Sequence, residues 1–187
     1  MDEQLCFSFG DISRHDVPLA GGKGANLGDM VQAGMPVPPG FVIPSLAYRE
    51  VLECNSLEAE ILRLMDGLDC GDSNQLRETA SQIRVLFNDC LIPEHSRQSR
   101  LDCYCALGDS RSVAVRSSAT AEDLADASFA GQQETFLNVS GEEALLDAVR
   151  SCWSSLFTSQ AIFYRSQQGF DGTQVSMAVV VQRMISS

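Results

Sequence analysis

At 187 residues, 44% apolar and 20% charged, the chain has the size and mix of a folded domain, not of a disordered or fibrous one. Its formal net charge of −12 disfavours nucleic acid and acidic membrane surfaces unless a local basic patch exists, and the sequence holds none. No run of about 18 apolar residues occurs and the N-terminus is acidic, so neither a membrane span nor a signal peptide is expected and a cytoplasmic location is the default.

In chain order, residues 5–9 read as a short strand. A glycine loop follows around Gly21-Gly22-Lys23-Gly24, and 25–33 has helical spacing through Leu27, Met30 and Val31. Three prolines at 36, 38 and 39 force extended backbone, after which 41–43 is a brief buried strand. Ser45 is expected to cap a helix reaching about residue 53. Residues 56–107 read as broken helix. Ser73 should cap a segment whose apolar face is Leu76, Ala80, Ile83 and Phe87, and Pro93 should start the next.

The texture then changes. A strand pattern over 112–116 leads into hydroxyls and small residues, and another strand follows over 134–139. A long helix opens at Gly141 with acidic residues in its first turn, and its stripe Leu145, Val149, Cys152, Trp153 and Leu156 reads as core. A helix over 158–168 and a long apolar strand over 175–185 complete the chain. An apolar strand wants neighbours, so a longer parent polypeptide is expected.

Seven cysteines, at 6, 54, 70, 90, 103, 105 and 152, show no repeated CxxC spacing. They read as reduced, mostly buried thiols, not as metal ligands. His15 and His95 lack a His or Cys partner at metal-ligand spacing and read as ordinary histidines.

The chemistry concentrates in two places. Twelve arginines accompany a single lysine, Lys23, and that lysine stands among glycines. Bare amides and a point charge suit a phosphate, although a solvated loop lysine would look the same. The cluster is not a Walker loop, because Val17 holds the first glycine position and Gly24 follows the lysine; nor does it match the dinucleotide fingerprint. In the stretch from 113 to 135, a strand delivers Arg116 to its end, Gly131 permits a close backbone approach, and Thr135 offers a hydroxyl. Alone, Arg116 would read as a surface salt-bridge partner; with its neighbours it reads as a phosphate contact.

VAVRSSATAEDLADASFAGQQETFLNV closely resembles the signature of the phosphoenolpyruvate synthase and pyruvate phosphate dikinase family. GGKGANLGDMVQAGMPVPPGFVIPSLAYRE resembles that family's N-terminal signature, and LFTSQAIFYRSQQGF followed by VVVQRM resembles its next landmarks. The resemblance implies the N-terminal part of an ATP-grasp nucleotide-binding domain. The fold would be α/β, or α+β by strict bookkeeping, with a mixed sheet flanked by helices and a helical insertion over about 50–110.

Position by position, it implies that Lys23 and Arg116 contact ATP phosphates. Gly131 and Thr135 would belong to a small-residue loop closing over them, and Gln182, with Arg183 and Met184, would lie beside the adenine. An apolar strand bearing one amide suits a purine. Magnesium ligands, the phosphate-accepting histidine on a swivelling domain, and the pyruvate-binding barrel would all lie outside this chain. The implied reaction converts ATP, pyruvate and water to AMP, phosphoenolpyruvate and phosphate, and the isolated chain would show little turnover. A rifampicin phosphotransferase front end or a non-catalytic nucleotide-binding module are the rival readings. Arg111 and Arg150 are expected to be ordinary surface charges.

Overall fold

The computed structural model describes residues 5–108, 112–120, 134–168 and 175–185. Its five strands are β1 (Phe7–Ser8), β2 (Gly40–Ile43), β3 (Val113–Ala119), β4 (Thr135–Val139) and β5 (Met177–Arg183). They form one sheet in the order β1-β2-β5-β3-β4. Its helices are α1 (Val17–Gln32), α2 (Ser45–Cys54), α3 (Leu57–Met65), α4 (Ser73–Asp89), α5 (Glu94–Cys105), α6 (Glu142–Ser154) and α7 (Ser159–Gln168).

The α+β reading stands, with one refinement. The expected mixed sheet is antiparallel at every described pairing. Long connections, not hairpins, bring β5 between β2 and β3, and nothing local in the sequence fixes their direction.

Side chains alternate across each strand, so the sheet has two distinct faces. Val113 and Val115 of β3, Met177, Val179 and Val181 of β5, and Phe41 and Ile43 of β2 all enter the main core under α2–α7. There Tyr48, Phe87, Trp153 and Phe157 form an aromatic cluster; Tyr48 and Phe87 stack at 6.1 Å between centroids, Phe87 and Phe157 at 5.8 Å. The expected stripe of α6 is wholly buried, as are Leu76, Ile83 and Phe87 of α4. Ile83 and Phe87 share one core with Val179, so the helical block packs directly on the sheet.

The opposite face is covered by α1, and here expectation and structure part. The glycine segment is helix, not loop: α1 begins at Val17 and continues through residues 21–24, broken only at Gly21. Of the expected stripe, Met30 is exposed, and Leu27 and Val31 pack on the small core of this face but are not fully buried. Ala20, Gly21, Gly22, Gly24, Ala25 and Gly28 are. A helix presenting hydrogens where others present side chains can approach its neighbours closely: a Cβ at Gly21 would collide with Ser118 of β3, and one at Gly28 with the carbonyl of Ile12, in the segment before α1.

Two caps also differ. Pro44 stands at the N-cap of α2, while the Ser45 hydroxyl donates instead to the Pro18 carbonyl at 2.8 Å. Asp72, not Ser73, caps α4; its carboxylate accepts from the amides of Asn74 (2.8 Å) and Gln75 (3.3 Å). Among the cysteines, Cys6, Cys90 and Cys152 are buried while Cys54 and Cys105 are exposed, so "mostly buried" overstates the pattern.

Candidate functional site

Of the residues singled out from sequence, Arg116, Thr135 and Gln182 stand on the α1 face of the sheet. Register decides this. Directly opposed residues in an antiparallel pair project to the same side. Arg116 opposes Thr135 on β4 and Val180 on β5, and Ala114 opposes Gln182. Arg116, Thr135 and Gln182 therefore share one face with Ser118, Ala178 and Val180. Arg116 is the middle residue of β3, since the strand runs three residues beyond it instead of ending there as expected.

Lys23 reaches this face from above. Its Nζ donates to the Ser117 carbonyl at 2.8 Å, one residue from Arg116. Two features hold the lysine there. Gly21 adopts φ 67° and ψ 169°, which breaks α1 and restarts it at the lysine's own turn. Ser118, fully buried, then pegs both halves of the break: its hydroxyl donates to the Ala20 carbonyl at 2.9 Å and accepts from the Gly24 amide at 3.3 Å. A side chain on Gly21 would run into the backbone of Ser118. Helix and strand are thus locked in a register that keeps the ammonium on the Ser117 carbonyl of β3.

The remaining predicted residues vary in how they fit. Thr135 is exposed at the first position of β4; the carbonyl of its neighbour Glu134 accepts from the Ser117 amide of β3 at 3.1 Å, and the Glu134 carboxylate pairs with Arg84 of α4 at 3.6 Å. Gln182 is half-buried, and its Nε2 donates to the Pro38 carbonyl at 3.3 Å. Met184 lies just past β5, with its amide donating to the Ser112 carbonyl at 2.9 Å. Gly131 lies outside the described residues, as does Arg111.

Arg150 departs from the surface charge expected of it. It is half-buried, with Nε donating to the Cys90 carbonyl at 3.3 Å and Nη1 paired with Asp147 at 2.9 Å. His95 is exposed and pairs with Glu50 at 2.7 Å.

Sequence reasoning passed over Ser118, which it read only as one of a run of hydroxyls. The signal was present in the partner element. Gly21, Gly24 and Gly28 recur at three and four residues, the spacing of one helix face, and a glycine face implies a strand lying close against it.

Elsewhere, a cavity of about 330 Å³ is lined by Tyr48, Arg49, Leu52, Glu53, Glu58, Val175 and Ser176 and contains none of the predicted site residues. Arg49 is committed there to the Ser176 hydroxyl at 3.0 Å.

A face that offers an ammonium, a guanidinium, a hydroxyl and an amide, two of them cationic in a chain of charge −12, can hold a polyanion with a polar heterocycle attached. Comparison with known proteins points the same way. A family model described as "Pyruvate phosphate dikinase, AMP/ATP-binding domain" matches residues 17–187. A probable phosphoenolpyruvate synthase of Methanothermobacter thermautotrophicus is 45% identical over 184 residues, covering 96% of this chain and 27% of the relative. One from Methanocaldococcus jannaschii is 47% identical over 182 residues, covering 95% and 15%. The phosphoenolpyruvate synthase of Pyrococcus furiosus is 40% identical over 216 residues, covering 96% and 26%. The chain spans between 15% and 27% of the length of these relatives. With nearly its whole length matched, the chain belongs to the pyruvate phosphate dikinase AMP/ATP-binding domain family.

Proposed function

We propose that this chain is the ATP-binding portion of a phosphoenolpyruvate synthase, in which Lys23 and Arg116 bind the triphosphate. The observation that supports the reading is the Lys23–Ser117 hydrogen bond, which holds an ammonium against β3 one residue along the strand from half-buried Arg116. Thr135, opposite Arg116, supplies a hydroxyl to the same phosphates, with Gly131 in the segment that precedes it. Gln182 and Met184 sit on the adenine side. The complete reaction turns ATP, pyruvate and water into AMP, phosphoenolpyruvate and phosphate through a phosphohistidine on another domain. Pyruvate, that domain and the pyruvate-binding barrel are partners of the whole polypeptide, in the cytoplasm. Among the described residues no helix is long and apolar enough to cross a membrane.

Phosphoryl transfer depends mainly on positioning and on neutralising charge. The work of this chain's residues follows from that. Lys23 gives up the Ser117 carbonyl for a phosphate oxygen, and Arg116 supplies the planar fork that holds two oxygens at once. Among the described residues no three His, Cys, Asp or Glu side chains gather where they could hold a metal ion. The magnesium ligands, by the family resemblance, would lie outside this chain.

The test is calorimetric titration of the chain with ATP, alongside Lys23→Ala and Arg116→Ala in the full-length enzyme. Each substitution should remove about 2 to 4 kcal/mol of transition-state stabilisation. The isolated chain should bind ATP weakly and release little AMP. Wild-type turnover in either full-length variant would overturn the site. Vigorous AMP release by the isolated chain would overturn the placement of the missing parts.

A further inference from the structure

The cavity of about 330 Å³ beside α2 carries charges of both signs that do not pair with one another. Buried Tyr48 and Leu52, with half-buried Val175, make an apolar floor. Arg49, Leu52 and Glu53 follow one another at three and four residues along α2, the spacing of one helix face, and Glu58 joins them from the first turn of α3. The Arg49 Nε donates to the Ser176 hydroxyl at 3.0 Å. That bond fixes the guanidinium at the rim and leaves its two terminal nitrogens without a partner among the described residues. Glu53 stands one turn from Arg49, yet neither it nor Glu58 forms an ion pair among the described residues.

The floor also holds a polar group with nothing to bind. Tyr48 is 1% exposed and its ring packs against Phe87 and Trp153, but its hydroxyl makes no hydrogen bond among the described residues. Nor is that hydroxyl one of the unpartnered atoms shut off from solvent, so it opens on the cavity that Tyr48 lines. A hydroxyl so placed costs stability unless something binds it. Two buried arginines back the same ring cluster: Arg165 lies over Phe157 and Arg100 over Trp153, each 5.3 Å from the centroid. No guanidinium nitrogen of either has a hydrogen-bond partner among the described residues. Burial holds the Tyr48 phenol well above its ordinary value, so it remains a donor, and the Arg165 charge acts on it more strongly than the opposing charge of Glu58. The floor therefore favours an anion and the rim a cation.

We propose that this cavity binds a free α-amino acid with an apolar side chain. The two terminal nitrogens of Arg49 take the carboxylate as a fork, and the Tyr48 hydroxyl donates to it. Glu53 and Glu58 receive the ammonium at the rim. The side chain lies against Leu52 and Val175. A ligand with opposed charges at one end accounts for a guanidinium and two carboxylates sharing a rim unpaired, and for a hydroxyl that no protein group satisfies. The volume stands at the small end of ligand pockets, which run from about 300 to 1,000 Å³. None of Lys23, Arg116, Thr135 and Gln182 lines this cavity, so the assignment stands apart from the nucleotide reading.

The experiment titrates the 187-residue chain with L-leucine, by calorimetry and by amide NMR. Saturable binding with a Kd of about 1 mM or tighter is expected, with shifts centred on Tyr48, Arg49 and Ser176. L-Leucine amide lacks the carboxylate and isocaproate lacks the ammonium; each should bind at least about tenfold more weakly. Arg49→Gln should reproduce the first loss from the protein's side, and Glu53→Gln with Glu58→Gln the second. Tyr48→Phe keeps the ring in the core and removes only the hydroxyl, and should weaken L-leucine about three- to tenfold. The analogues, measured on the wild-type chain, decide the matter even if a variant fails to fold. No saturation by about 10 mM L-leucine, equal binding of all three compounds, or shifts centred on Lys23 and Arg116 overturns the proposal.

Discussion

The two faces of the sheet are built from the same strands by different rules. One face presents Val113, Val115, Val179 and Val181 to six helices and closes with large aromatic rings. The other presents Ala114, Arg116, Ser118, Ala178, Val180 and Gln182, and is met by the single helix α1 through its glycines and alanines. The first face fills space with volume; the second closes distance with hydrogen atoms and hydroxyls. Small residues let helix and strand backbones touch, and that contact brings Lys23 to β3. The face that looks poorer as a core is the one able to position charged groups.

Volume on the large face is tested first, since the largest effect belongs there. Trp153→Ala removes a fully buried ring from contact with Tyr48 and uncovers the Arg100 cation, and should destabilise the fold by about 3–5 kcal/mol in urea unfolding. Trp153→Phe retains an aromatic face under Arg100 and should cost clearly less. Equal losses would mean that Arg100 gains nothing from the ring.

The small face inverts the ordinary rule for glycine. In an exposed helix, Gly→Ala stabilises by about 1 kcal/mol. At Gly28 the added methyl would strike the Ile12 carbonyl, a backbone atom that cannot swing aside. Gly28→Ala should therefore destabilise by about 2–3 kcal/mol, and an unfolding curve gives the sign directly. Stabilisation would show that α1 does not approach so closely.

That inversion marks the boundary of what the sequence discloses. The strands β3 and β5, and the apolar stripes of α4 and α6, follow from local pattern and were legible. The helical state of residues 21–24 was not. Glycine is a poor helix former, and only a sheet lying against α1 rewards its presence there. Arg100 was equally hidden, because an arginine on a polar helix reads as solvated until the tertiary fold covers it. Antiparallel pairing throughout depends on long connections between paired strands, which no window of sequence encodes.

Ser118 is the hinge of the comparison, a buried hydroxyl serving the small face. Ser118→Ala would strand the Gly24 amide and the Ala20 carbonyl in a buried place and should cost about 1–2 kcal/mol. It should also weaken ATP binding, though by less than Lys23→Ala, because the lysine remains while its helix loosens. Calorimetry on both variants separates the two effects. ATP affinity unchanged in Ser118→Ala would show that the peg serves stability alone.

The smallest effect lies on the large-face side, at the start of α4, and it depends on pH. The Asn74 and Gln75 amides that Asp72 accepts hold its carboxyl below the usual range. A depressed folded pKa means that the charged form belongs to the folded state. Its contribution is complete above the unfolded pKa and fades as pH falls through the lower, folded value. Amide exchange at the first turn of α4 should therefore quicken in acid in the wild type. In Asp72→Ala it should be fast at every pH. Asp72→Asn keeps an oxygen for the cap but no titrating group, so its exchange should stay slow and flat with pH. Ser73→Ala should leave the profile unchanged, because the hydroxyl one position along holds no cap. A Ser73→Ala profile resembling that of Asp72→Ala would move the start of the helix back to where local sequence placed it.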